Sequence, residues 1–297
     1  MAALKNQTLS KASWSLLIVD NGSTIPVVNH LDISWHPNSR IISEPQVGTA
    51  FARLRGIAET HSDLLVFVDD DNLLEPDYLE QALILADSWP QLGVWGCSIV
   101  PDFEITPPEH LRPYLKFLAL RELQTSRWSN IWNCSSAEPW GAGLCLRRQV
   151  ADAYNEAFYG PRLRIKGRTG GILMSGEDTE IAYVSCSLGL GMGIFPNLRL
   201  VHIIAKHRLN DDYLVKMVEG LNTSSMLLFY KWGGISPESP YSLRALGRIL
   251  KTFLKKRGMD RRLSFAVYRA KLTARAIIAK YERENHVNSP PPFKHML

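Results

Sequence analysis

Leu64-Leu65-Val66-Phe67-Val68-Asp69-Asp70-Asp71 joins a short, unbroken apolar run to three adjacent carboxylates. The run is β-prone and reads as a strand buried on both faces, as in a parallel α/β sheet. Ligands in such sheets bind beyond the carboxyl ends of the strands. Neighbouring carboxylates repel one another, so a fold tolerates three of them most readily around a cation. Oxygen ligands suit Mg²⁺ or Mn²⁺. The other reading is a solvated acidic turn leading into a helix, whose N-terminus favours acids. The stretch alone leaves both open.

On either side the pattern alternates. Leu16 to Val19 reads as a buried strand, and Asp20-Asn21-Gly22-Ser23 turns away from its end. Val47, Ala50, Phe51, Leu54, Ile57 and Ala58 fall at helical spacing. Pro76 suits the first turn of a helix with apolar face Leu79, Ala82, Leu83 and Ala86, and Gly93 to Val100 reads as another strand. This β–α–β–α–β order predicts a parallel sheet flanked by helices. Residues 101–175 are less regular. Trp128 and Trp132, four apart, read as packing residues on a helix face, and Gly160 to Gly171 reads as a mobile loop. Ser175-Gly176-Glu177-Asp178 fits a helix start, with Ser175 as cap and Asp178 reaching back. That helix should bury Ile181, Val184 and Leu188 and end at Gly189, with a strand following over Leu198 to Ile204. From Tyr241 the pattern is basic amphipathic helix, and Ser289-Pro290-Pro291-Pro292 reads as a frayed tail.

With 45% hydrophobic and 21% charged residues in 297, the chain is an ordinary folded protein of one large or two small domains. Cys97, Cys134, Cys145 and Cys186 lie far apart, which argues against a zinc site or disulfide framework and for a reduced, cytosolic chain. No secretory leader is evident at the start, and no apolar run approaches the roughly 20 residues of a membrane span. The net charge of +5 conceals a division. Residues 241–281 hold 12 Lys and Arg against one acid, Asp260, while the rest holds 22 basic and 28 acidic residues. An acidic body with a basic tail does not fit a nucleic-acid-binding protein.

The order of motifs resembles the family 2 inverting glycosyltransferases of GT-A fold. It runs from Leu17-Ile-Val-Asp-Asn-Gly-Ser-Thr24 to Gly48 with Ala52-Arg53 and Gly56, then Val66-Phe-Val-Asp-Asp-Asp-Asn72, Trp140-Gly-Ala-Gly143 and Gly176-Glu-Asp-Thr-Glu180. The resemblance implies a GT-A domain over 1–220, followed by a basic amphipathic helical extension over 221–297. It implies a nucleotide-diphosphate sugar donor, in particular a UDP-sugar. The acceptor would be a hydroxyl of a glycan or lipid-linked acceptor, as in cell-surface polysaccharide biosynthesis. By the same resemblance Asp20 contacts the nucleotide base, Asp69 lies near the ribose, Asp70 stands behind it, and Asp71 binds Mn²⁺ or Mg²⁺. Asp178 is the catalytic base and Glu177 assists it. Arg53 matches a basic residue of the donor site, although Leu54 replaces the Asn that follows it in the family; the alternative is a helix-surface charge. Trp140 and Gly141 line the sugar site, with Trp140 able to stack on a pyranose ring. His202 matches a metal ligand of some branches, and Arg208 and Tyr213 follow it in the family's order.

The family's opening strand and its nucleotide-holding turn are not recognisable before Leu16, so a first strand is expected to be missing. A degenerate, non-catalytic glycan- or partner-binding member is therefore the second reading. A metal-dependent phosphatase or nucleotidylyltransferase is a third, and it leaves Glu177-Asp178 without a role. The basic tail fits either packing on the acidic body or docking on an anionic membrane surface, which would make the protein peripheral on the inner face of the membrane.

Overall fold

The computed structural model describes residues 1–165, 167, 173–239 and 242–285, apart from the side chain of residue 246. Tyr241, the proline-rich tail and part of the Gly160 to Gly171 stretch lie outside the described residues. The chain forms two compact units, one of residues 1–104, 118–159 and 177–204, the other of 105–117, 160–176 and 205–297. Residue 220 falls inside a helix of the second unit, so the units do not divide at the 220/221 boundary drawn from sequence.

The first unit carries α1 (Ala2–Lys5), β1 (Leu16–Asp20), β2 (Ser39–Ser43), α2 (Thr49–Ala58), β3 (Leu64–Phe67), β4 (Asn72–Leu74), α3 (Tyr78–Ser88) and β5 (Leu92–Phe103). It continues with β6 (Arg127–Ser129), β7 (Leu144–Arg147), α4 (Arg148–Tyr159), α5 (Glu177–Ser187) and β8 (Gly191–Ile204). The two longest ladders, β1–β2 and β5–β8, are parallel, as the alternation predicts. The shorter β3–β7, β5–β7, β4–β8 and β6–β8 ladders are antiparallel. In β8 the register slips between Phe195 and Arg199, around Pro196. A proline, lacking an N–H, is tolerated in a strand at such a bulge.

One sheet was expected and two form. β1 and β2 make a two-stranded sheet, and β3 stands at one end of the path β3-β7-β5-β8-β4. β1 and β3 therefore each have a ladder partner along one edge only among the described residues. This corrects the reading of Leu64 to Val68 as buried on both faces. Only Leu65 is buried, while Leu64, Val66 and Phe67 are half-buried. The main core lies instead around β5 and β7, where Leu92, Trp95, Cys97, Ile99 and Cys145 pack with Leu79, Ala82 and Leu85 of α3.

Several local expectations shift for identifiable reasons. α2 begins after Val47, which is 58% exposed, because Gly48 at φ 144° turns the chain into the helix. α3 buries Leu79, Ala82 and Leu85 but leaves Leu83 out. Trp128 and Trp132 do not share a helix. Trp128 lies in the edge strand β6 and is half-exposed, whereas Trp132 is buried edge-on against Tyr183 of α5. α5 buries Ile181 and Val184 as expected, but Leu188 falls just past its end and is exposed.

The second unit is built on α6 (Asp211–Gly233), α7 (Leu243–Lys255) and α8 (Gly258–Asn285). Asn210 caps α6 by accepting from the Tyr213 backbone N–H at 2.9 Å, and Gly234 in the left-handed region ends it. α6 and α8 pair lengthwise through apolar contacts and ion pairs. Arg262 bridges Asp211 and Asp212, and Arg269 bridges Glu219.

Candidate active site

The centre of the site is Arg53, on the buried face of α2. Its side chain is 6% exposed and its guanidinium spans three chain segments. One nitrogen reaches Glu177 Oε1 at 3.2 Å, and another reaches Asp69 Oδ1 and the Gly141 carbonyl, both at 3.3 Å. The alternative of a helix-surface charge is thereby excluded. Burial works against the Arg53 charge, but Asp69, Glu177 and Asp178 together hold its pKa above the ordinary value. A Cβ at position 141 would lie 2.4 Å from an Arg53 nitrogen, so a side chain there would push the guanidinium off its partners. Gly143 sits at φ 67°, and a Cβ would strike the Tyr78 hydroxyl that donates to its carbonyl.

α5 begins at Glu177, so Glu177 and Asp178 stand at a helix N-terminus whose dipole favours carboxylates. Glu177 is buried against Arg53. Asp178 Oδ1 accepts from the Thr179 N–H and Oδ2 from the Gly141 N–H, both at 2.8 Å. The carboxylate thus points to the Trp140–Gly143 segment, in place of the expected reach back to Ser175. Each of its oxygens keeps a further lone pair for another donor.

The three carboxylates after β3 have different surroundings. Asp69 pairs with Arg53 and remains 42% exposed. Asp70 is exposed at the turn. Asp71 precedes β4, which runs antiparallel to β8 with Asn72 opposite His202. That register brings His202 Nε2 within 3.3 Å of Asp71 Oδ2. Asn72 ties the turn together by donating to Asp71 Oδ1 at 3.1 Å. Among the described residues no three His, Cys, Asp or Glu side chains form a complete metal cage. Asp71 and His202 are the adjacent pair that could hold a divalent ion, were its remaining ligands to come from substrate phosphate and water.

Asp20, 9% exposed at the end of β1, organises the following loop. Its carboxylate accepts from the Ser23 N–H at 3.1 Å and the Val27 N–H at 2.9 Å. Hydrogen bonds from the Ser23 side chain and from the Val27 and Ser23 backbone hold it below the usual carboxylate range. Asn21, not singled out from sequence, clamps the loop before α2. It donates to the Glu44 and Gln46 carbonyls and accepts from the Gly48 N–H at 2.7 Å.

Two further residues were missed because no spacing signals them. Arg121 lies 3.6 Å above the Trp140 ring and donates to the Glu138 carbonyl at 2.7 Å. A pyranose stacking on Trp140 therefore competes with a guanidinium already in place. The Glu138 side chain accepts from the Thr179 hydroxyl at 2.7 Å. Burial pushes Glu138 up to about 7, with the Thr179 hydrogen bond opposing and Asp178 reinforcing the rise. A raised carboxyl pKa means the folded chain holds the proton more tightly than the unfolded one. The resulting stability is present below the ordinary glutamate value and is lost as pH rises through about 7. Glu138→Gln should remove that slope, leaving the variant more stable than wild type above neutrality. Urea unfolding on either side of this window reads the difference, and parallel pH profiles for the two proteins would contradict it.

The model of the family Glycosyl transferase family 2 matches residues 1–154, and the chain belongs to that family. Putative glycosyltransferase EpsH of Bacillus subtilis (strain 168) is 24% identical over 175 residues, covering 53% of this chain and 49% of EpsH. The chain thus spans about half the length of that curated relative. Two structures of S. aureus TarS 1–349, one in complex with UDP, align over 95% of this chain and 86% of TarS. Their TM-scores are 0.49 and 0.47, at 11% and 12% identity. The fold of this family member is mixed α/β, with helices at its C-terminal end.

Proposed function

We propose that the protein transfers a sugar with inversion from a nucleotide-diphosphate sugar, specifically a UDP-sugar, to a hydroxyl of a glycan or lipid-linked acceptor used in cell-surface polysaccharide assembly. One observation carries this reading. Asp178, Glu177, Arg53 and Asp69 converge around Gly141, and each is tied to that backbone or to Arg53. Family membership supplies sugar transfer, and the convergence supplies a base within a fixed frame.

In this reading Asp20 receives the imide N–H of uracil on a lone pair left over from the loop. Asp69 lies on the ribose side with Asp70 behind it, and Arg53 holds Asp69 and Glu177 in position. Asp71 and His202 hold Mn²⁺ or Mg²⁺, which when bound neutralises charge on the departing diphosphate. Asp178 takes the proton of the acceptor hydroxyl as that oxygen attacks the anomeric carbon. The new C–O bond forms on the face opposite the diphosphate, and the old C–O bond breaks with its electron pair leaving on the phosphate oxygen. Inversion follows from the single displacement. Glu177 keeps Arg53 in place and so fixes the Gly141 N–H that orients Asp178.

A thermal-shift screen of nucleotide sugars, with Mn²⁺ or with a chelator, tests the reading. One UDP-sugar should stabilise the protein only when the ion is present, by about 2.7 kcal/mol at a hundredfold excess over Kd. Absence of stabilisation by every nucleotide sugar in both conditions would favour the non-catalytic alternative.

A further inference from the structure

The helix α7 presents three distinct stripes. Ala245 is buried, and Ile249 and Thr252 are half-buried, so this side faces the rest of its own unit. Leu243, Leu250 and Leu254 recur at i, i+7 and i+11, with Phe253 beside them, and a 3.6-residue period aligns them along one side. These four are 89%, 61%, 70% and 60% exposed in that order. Arg244, Arg248, Lys251 and Lys255 form a third, adjoining stripe of exposed cations, which Lys256 and Arg257 extend beyond the helix. No acid occurs between residues 243 and 259, and Glu238 is engaged by Arg248 and Lys271. The apolar side of this amphipathic helix is thus not the side that packs. A helix buried on its own protein would turn Leu250, Phe253 and Leu254 inward.

We propose that α7 docks the protein on an anionic lipid bilayer, lying in the interface plane. Leu243, Leu250, Phe253 and Leu254 would enter the acyl boundary while the basic stripe meets lipid phosphate. An exposed apolar stripe beside a basic one has the chemistry of both layers it would contact, headgroup and hydrocarbon. Nucleic acid would engage the cations and leave the leucines in water. A second copy of the chain would cover the leucines but set like charges beside like. Spanning is excluded for this element, since α7 has 13 residues and no helix among the described residues is long and apolar enough to cross a membrane. Such docking gives a glycosyltransferase access to acceptors held at the bilayer, although the inference rests on the helix and not on the proposed reaction.

The test is co-sedimentation of the full chain with phosphatidylcholine vesicles, with and without phosphatidylglycerol. Two variants accompany wild type, Leu250→Ser with Phe253→Ser, and Lys251→Gln with Lys255→Gln. All four positions are exposed, so the variants should keep the fold, which circular dichroism verifies. Wild type should bind the anionic vesicles, lose binding as salt rises, and bind neutral vesicles weakly. Each variant should bind anionic vesicles about tenfold less or weaker still. Wild type that ignores anionic vesicles, or folded variants that bind as wild type does, would overturn the proposal. So would a wild-type dimer that the serine variant converts to monomer with no vesicle binding in either.

Discussion

Asp178→Asn should lower turnover by about 10²–10⁴-fold while leaving donor binding intact. The amide keeps the size of the carboxylate, and its oxygen can still accept the Gly141 N–H that now bonds Asp178 at 2.8 Å. It cannot take a proton from the acceptor hydroxyl at a useful pKa. The loss should therefore fall on kcat and not on the affinity for UDP. Asp178→Asn with near-wild-type turnover on a matched acceptor would remove Asp178 from the role of base. A loss of UDP binding equal to the loss of rate would instead point to a collapsed site.

Arg53→Met should destabilise the fold by about 3–5 kcal/mol, the usual cost of removing one partner from a buried ion pair. The magnitude rests mainly on the Arg53–Glu177 pair, whose side chains are only 6% and 5% exposed. Asp69, 42% exposed, is largely solvated and contributes less. The double variant Arg53→Met with Glu177→Leu should regain much of the lost stability, because a buried pair replaced by apolar side chains is often neutral. It should not regain activity, since the Gly141 segment loses its guanidinium anchor. Equilibrium unfolding of both variants decides the matter. A change below about 1 kcal/mol for the single variant would place Arg53 with ordinary surface charges.

The main strands were legible because their composition is local. Leu16 to Val19 and Gly93 to Val100 match β1 and β5 closely, and the helix start at Glu177 follows the Ser-Gly-Glu-Asp pattern. What escaped the sequence depends on partners far along the chain. Arg53 reads as one charge on an amphipathic helix, while its contacts lie 16, 88 and 124 residues away. The approach of His202 to Asp71 depends on the antiparallel β4–β8 register, which no periodicity announces. The half-burial of Leu64, Val66 and Phe67 has the same origin, because strand composition does not say which edge goes unpaired. In α7 the amphipathic pattern was plain, but the side that packs proved to be Ala245 and Ile249 and not the leucine stripe. Trp128 and Trp132 misled because a spacing of four is helical only if the segment is a helix. Here one lies in an edge strand and the other in the turn beyond it.

Nucleotide binding at the carboxylates after β3 is expected to depend on a divalent metal ion. Calorimetric titration of UDP into wild type and Asp71→Ala, each with Mn²⁺ and with chelator, addresses it most directly. Wild type should bind UDP in Mn²⁺ and lose most of that affinity in chelator. Folded Asp71→Ala should show the weak, chelator-like affinity under both conditions. Equal, Mn²⁺-dependent affinity in the two proteins would contradict the account.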